Sequence, residues 1–182
     1  MVTRWINLIC TTILKKFLKK IFTVFLITLS WQSHATAQII DSSFYQWTIY
    51  ELQEDELSDK QCYIVANPIK LESDQPTRQK PYIMITRFQR QRIEEVSIYG
   101  GYEYKINSKV FVMIDDSQFK FPSKKDMAWA KSKAEDVEVI QRMLEGKKVL
   151  VRSDSAIGTF AIDEYSTQGI AKAYARMREI CK

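Results

Sequence analysis

Residues 109–121, KVFVMIDDSQFKF, decide how the chain is read. Val110, Val112 and Ile114 alternate with Phe111 and Met113, the period of two that sends successive side chains to opposite faces of a strand. Asp115-Asp116-Ser117 is turn chemistry, because short Asp and Ser side chains hydrogen-bond their own backbone and break the run. Gln118 to Phe121 then returns, so the stretch is predicted as an antiparallel hairpin with one face on a core.

Outward from this hairpin the same signal recurs as short runs rich in Tyr, Phe, Val and Ile between polar turns. They are Phe44 to Leu52, Gln61 to Ala66, Tyr82 to Phe88, Glu95 to Tyr99, Tyr102 to Ile106, Lys148 to Ser153 and Thr159 to Tyr165. Two segments change period. Lys125 to Glu145 carries Met127, Ala130, Ala134, Val137, Ile140 and Leu144 at near-helical spacing, with Gly146 placed to end it. In the last segment Ile170, Ala173, Tyr174, Met177 and Cys181 form one stripe, and Ser166 or Thr167 is the expected cap. Regular strand–helix alternation is missing, which disfavours a parallel α/β sheet. The expected fold is all-β, an immunoglobulin-like antiparallel β-sandwich with one or two helices in the C-terminal third. Residues 38–182 are read as a single domain.

The first 37 residues follow different rules. Lys15, Lys16, Lys19 and Lys20 precede an apolar run from Ile21 to Trp31, and Ala35-Thr36-Ala37 follows it. A bilayer span needs about 20 apolar residues, whereas a secretory leader needs a cationic start, a short apolar core and small residues at the cut. Cleavage is expected between Ala37 and Gln38, with export to the periplasm or cell envelope; the alternative is an uncleaved anchor, aided by Trp5 to Leu14.

Removing that leader changes the chemistry. The whole chain has 27 basic and 22 acidic residues, but Arg4 and the four lysines lie before Gln38 with no acid among them, so the remainder is charge-balanced. Nucleic acid is therefore not an expected partner, and a membrane is expected only through the leader if it is retained. The one histidine, His34, also lies in the leader. Without it a His-based triad, a His general base and most zinc sites are excluded. Cys62 and Cys181 remain as an even pair in an oxidising compartment and are predicted to form one disulfide, the alternative being two buried thiols.

Reactive groupings are sparse. Glu54, Asp55, Glu56 and Asp59 could offer oxygens to calcium but lack the ligand order of an EF-hand loop, so a solvated turn is expected. Asp115-Asp116 and Asp163-Glu164 are neighbours along the chain, and strand neighbours face opposite ways instead of across a glycosidic bond. Ser153 and Ser155 have only Lys147 or Lys148 as a conceivable base and no nucleophile-elbow pattern. Arg87, Arg90 and Arg92 form the densest cationic run, a candidate grip for an anionic partner or a hairpin end paired with Glu94 and Glu95. Gly100-Gly101 reads as a turn, and Trp47 and Trp129 as core anchors.

Several of these stretches carry a resemblance in their order along the chain: Phe44-Tyr45-Gln46-Trp47, Lys60-Gln61-Cys62-Tyr63-Ile64 with Asn67-Pro68, Arg78 followed by Pro81 to Thr86, Asp154 to Thr159, and Asp163-Glu164-Tyr165-Ser166 to Gly169 with Cys181. Together they resemble the invasion-associated locus B family of exported alphaproteobacterial proteins. The resemblance implies an immunoglobulin-like sandwich, an envelope location and a connection with host-cell entry; it supplies no catalytic residue, metal or cofactor. The expected function is non-catalytic binding of a protein or envelope component, against the alternative of a periplasmic hydrolase using carboxylates or a Ser-Lys pair.

Overall fold

Period-two alternation places the core in the computed structural model, which describes residues 38–52 and 60–182. The strands are β1 (Gln38–Phe44), β2 (Trp47–Leu52), β3 (Gln61–Ala66), β4 (Lys70–Ser73), β5 (Tyr82–Phe88), β6 (Ile93–Tyr99), β7 (Lys109–Ile114), β8 (Ser117–Lys124), β9 (Met127–Trp129), β10 (Lys148–Asp154) and β11 (Phe160–Ser166). Two helices, α1 (Lys133–Glu145) and α2 (Ile170–Ile180), lie in the C-terminal third. Every ladder is antiparallel, in the order β1-β2-β3-β5-β6-β9-β8-β7-β10-β11-β4.

This one ribbon of strands folds into two layers at β8. Its first part pairs with β7 as far as Pro122, and Ser123 and Lys124 pair instead with β9. Proline cannot donate to a central ladder, so its place at the changeover is where a strand tolerates it. The inner faces of both layers share one core: Trp47, Ile49, Ile64, Ile83, Ile85 and Ile98 from one, Val110, Val112, Phe121, Val149, Val151 and Tyr165 from the other. Each fully buried branched side chain contributes about 1.5–3 kcal/mol. The Trp47 Nε1–H donates to the Ser166 carbonyl at 3.0 Å, so the largest core side chain also links β2 to β11.

The 109–121 hairpin forms, with Val112 opposite Phe119 and Asp115 at φ 46° in the turn, but Ser117, expected in the turn, opens β8 opposite Ile114. The all-β antiparallel sandwich with two C-terminal helices is thus observed. Several boundaries differ from expectation. The run from Phe44 is two strands, because Tyr45 turns at φ 57° and returns the chain to a separate β1. β4 is exposed at every residue and so carries no apolar alternation to find. Tyr102 to Ile106 is not a strand; it makes one isolated bridge, Tyr104 to Ser155.

The long helix expected from Lys125 starts late. Lys125 sits at φ 56°, which breaks the helix, and Met127–Trp129 pairs with β6 as β9. The helix begins after Ser132, whose Oγ accepts the Glu135 N–H, while the Glu135 carboxylate accepts the Lys131 N–H. That is the reciprocal capping arrangement of Ser-x-x-Glu, displaced by one residue on the return bond. α1 then replaces the short β9 beside β6: Asp136 Oδ1 accepts the Val96 N–H at 2.8 Å. For α2 the expected caps serve elsewhere. Ser166 Oγ accepts the Gln168 N–H, and Thr167 Oγ1 donates to the Gly146 carbonyl. Gly169 at φ 91° occupies the N-cap, where a Cβ would come within 2.4 Å of the Phe44 carbonyl oxygen.

The stripe of α2 behaves as read: Ile170, Ala173 and Met177 are buried, and Cys181 just beyond is joined to Cys62 of β3 across a Cα–Cα distance of 5.9 Å. α2 thereby lies on the inner side of β1, β2 and β3. Neither described helix packs on their opposite side.

A tyrosine-lined cleft on the outer sheet face

On β2, β3 and β5 the residues between the core positions point outward. Tyr50 stands beside Tyr63 in the β2–β3 register, and Val65 beside Met84 in the β3–β5 register. The Tyr50 and Tyr63 rings stack with centroids 5.1 Å apart and planes 13° from parallel. On the next pair of strands Tyr82 stacks on Tyr99 at 5.0 Å. Such cross-strand aromatic pairs each stabilise a sheet by roughly 0.2–1 kcal/mol, and they also fix where the rings stand.

The twisted face between these pairs holds a cleft of about 540 Å³. Tyr50, Tyr63, Tyr82, Val65, Met84 and Leu52 form its apolar lining, and Gln38, Gln61, Asn67 and Thr86 add amides and a hydroxyl. Lys80, exposed, is the one charged side chain among the described lining residues. Tyr63 is only 7% exposed, and burial, with Tyr50 and Tyr82 nearby, pushes its pKa up to about 12. Burial, then Tyr99, raises Tyr82 as well. Both hydroxyls are therefore neutral donors at physiological pH.

A second polar cluster is sealed between the layers. Arg78 forks onto the Asp163 carboxylate at 2.7 and 2.5 Å, donates from Nε to the Gly100 carbonyl at 2.8 Å and lies 5.0 Å from the Tyr102 ring centroid. The Tyr102 hydroxyl meets Ser153 Oγ at 2.7 Å. Gly100-Gly101 is a close-approach site as well as a turn, since a Cβ on Gly101 would sit 2.1 Å from the Gln79 carbonyl oxygen. Burial raises the Asp163 pKa despite the lowering effect of Arg78. The hydroxyls of Tyr104 and Tyr165 are buried and make no hydrogen bond with any described residue.

The expected site residues fall as follows. Cys62 and Cys181 are bonded. Arg87 pairs with Glu94 at 2.6 Å and donates from Nε to the Cys181 carbonyl on the inner side, whereas Arg92 is exposed in the β5–β6 turn at φ 52° and Arg90 is exposed beside it. Of the two expected carboxylate partners, Glu94 is the one that Arg87 meets. Glu95 lies on the other face of β6. Asp115 accepts the Lys147 N–H with its carboxylate, consistent with a turn role. Asp163 is buried while Glu164 faces the other way. Ser153 points inward to Tyr102, and Lys148, five residues earlier on β10, is exposed. Trp47 is a core anchor; Trp129 is half-buried on β9 instead of lying in a helix. Among the described residues no three His, Cys, Asp or Glu side chains gather as metal ligands. Ala37 of the expected cut, and Glu54, Asp55, Glu56 and Asp59, lie outside the described residues; Gln38 opens β1.

The cleft tyrosines were not singled out from the sequence. Their signal was available in the outward half of the alternation, where Tyr50, Tyr63 and Tyr82 occupy positions that a solvated face fills with polar residues.

No family model and no curated protein matches the chain. Among solved structures, the crystal structure of invasion associated protein B from Bartonella henselae is similar, with a TM-score of 0.54 over 78% of this chain and 97% of that one, at 10% identity. At that identity the likeness is one of fold, and it is the fold that the resemblance implied.

Proposed function

We propose that the chain is a non-catalytic exported protein of the periplasm or cell envelope that acts by binding a protein or envelope component through the outer face of β1, β2, β3 and β5. The observation that carries this reading is the tyrosine-lined cleft: rings held by stacking, on a sheet face that neither described helix covers, with Lys80 the one charged side chain among the described lining residues. Exposed concave aromatic surface of this kind marks interaction sites on soluble domains. The fold shared with a protein named as invasion-associated supports extending the role to host-cell entry.

A photoactivatable residue at Met84, expressed in intact cells, tests the reading. A discrete adduct is expected from Met84 and not from Lys120 on the other layer, and it is expected to weaken with Tyr82→Ala. Equal labelling from both positions, or no adduct, overturns it. N-terminal sequencing of the exported product is expected to begin at Gln38; an intact Met1 end overturns the leader assignment.

A further inference from the structure

We propose that this cleft is a binding site for an uncharged glycan. The inference rests on the reading of the outer face as the binding face and names its ligand class. Among the described residues the lining contains no carboxylate and only Lys80 as a cation, so that part of it complements neither a strongly acidic nor a basic partner. Its polar groups are instead the side chains of Gln38, Gln61, Asn67 and Thr86, with the hydroxyls of Tyr50, Tyr63 and Tyr82 among them.

Amides and hydroxyls both donate and accept, which is what a ring of sugar hydroxyls requires, because each hydroxyl does the same. Sugar rings also present flat C–H faces, and an aromatic ring offers a matching flat surface with few torsions to freeze. A lipid tail or apolar peptide would cover the same rings but leave buried amides without partners, at a cost of about 1–3 kcal/mol per group. The volume of about 540 Å³ falls in the range of small-molecule sites. The cleft is also preorganised. Tyr63 is held by stacking on Tyr50 of the neighbouring strand, and its raised pKa keeps the hydroxyl neutral well above physiological pH. Little ordering cost is left for binding.

The experiment is calorimetric titration of the purified, oxidised protein with cellohexaose, chitohexaose and maltohexaose, and with hexagalacturonate as the acidic counterpart. At least one neutral hexamer is expected to bind with Kd roughly between 10 µM and 1 mM. Tyr50→Ala and Tyr82→Ala are expected to weaken it about tenfold or more, and Tyr50→Phe and Tyr82→Phe by less, with near-UV circular dichroism confirming the fold of each. No neutral hexamer binding at about 5 mM, binding of the acidic hexamer alone, or affinity indifferent to both alanine variants overturns the proposal. Binding that emerges only when residues 53–59 are shortened also overturns it, by making that segment the occupant. A protein adduct from Met84 alongside silent titrations sinks the glycan assignment while leaving the binding face standing; silence in both sinks the two together.

Discussion

Arg78 sits where a single side chain joins two layers: its fork holds Asp163 of β11, and its Nε holds the Gly100 carbonyl at the end of β6. Asp163 is 1% exposed and the Arg78 side chain 10%, so neither charge has water to fall back on. Removing one partner of such a buried pair is expected to cost about 3–5 kcal/mol, because the other is left buried and uncompensated. Arg78→Met should therefore lower the unfolding free energy, read from denaturant titration, by about that amount at pH 7. The sign with pH follows from Asp163. Burial already raises its pKa, and without Arg78 it rises further. A raised folded pKa gives stability that is present in acid and lost as pH rises, so the gap between wild type and Arg78→Met should narrow toward pH 4. A gap independent of pH between 4 and 7 would place the loss outside Asp163. The sequence showed Arg78 and Asp163 only as separate motif residues, 85 positions apart. Strand parity correctly turned Asp163 away from Glu164, but no local pattern states which cation it meets.

At the scale of elements, what could be read was whatever repeats with a period. The Val110–Ile114 alternation and the stripe of α2 both bury one face, and both formed. What was misread was set by single backbone angles: Tyr45 and Lys125, both non-glycine residues at positive φ, each displace the start of a predicted element. The true start of α1 was nonetheless written in Ser132-Lys133-Ala134-Glu135, a capping pattern outweighed by apolar spacing further upstream. β1 was missed in the sequence because its residues are exposed or half-buried and carry no buried alternation; besides its ladder to β2, Arg176 of α2 donates from Nε and Nη2 to the Asp41 carboxylate at 2.9 and 2.8 Å. Those bonds, with help from Ser42, hold Asp41 below the usual carboxylate range. A lowered folded pKa contributes stability above the unfolded value and loses it as pH falls through the folded one. Wild type should therefore exceed Asp41→Asn in guanidinium midpoint at pH 6, with the difference shrinking as pH drops below about 4. A difference that persists at pH 3 would mean that the carboxylate charge is not what holds β1 to α2.

For the whole molecule, the Cys62–Cys181 bridge ties the third strand to the last described turn, 119 residues apart. Closing so long a loop restricts the unfolded chain, which the entropic model values at about 4–5 kcal/mol, while removal of native disulfides typically costs about 2–5 kcal/mol. The folded state has other holds on the same corner: Arg87 donates to the Cys181 carbonyl, and Tyr174 and Arg87 both donate to Glu94. Those contacts survive the loss of the bridge, so the Cys62→Ala, Cys181→Ala double variant should fold and be less stable by about 2–5 kcal/mol. Direction along β3 then separates stability from function. Cys62 points into the core and Tyr63, its neighbour, points into the cleft, so the bridge and the proposed binding face lie on opposite sides of one strand. The double variant should lose denaturant resistance while keeping, in mild buffer, the cleft affinity of wild type and the Met84 adduct. Loss of binding in a variant that still folds would show that the bridge sets the curvature of the face itself, and would tie the redox state of the Cys62–Cys181 pair directly to recognition.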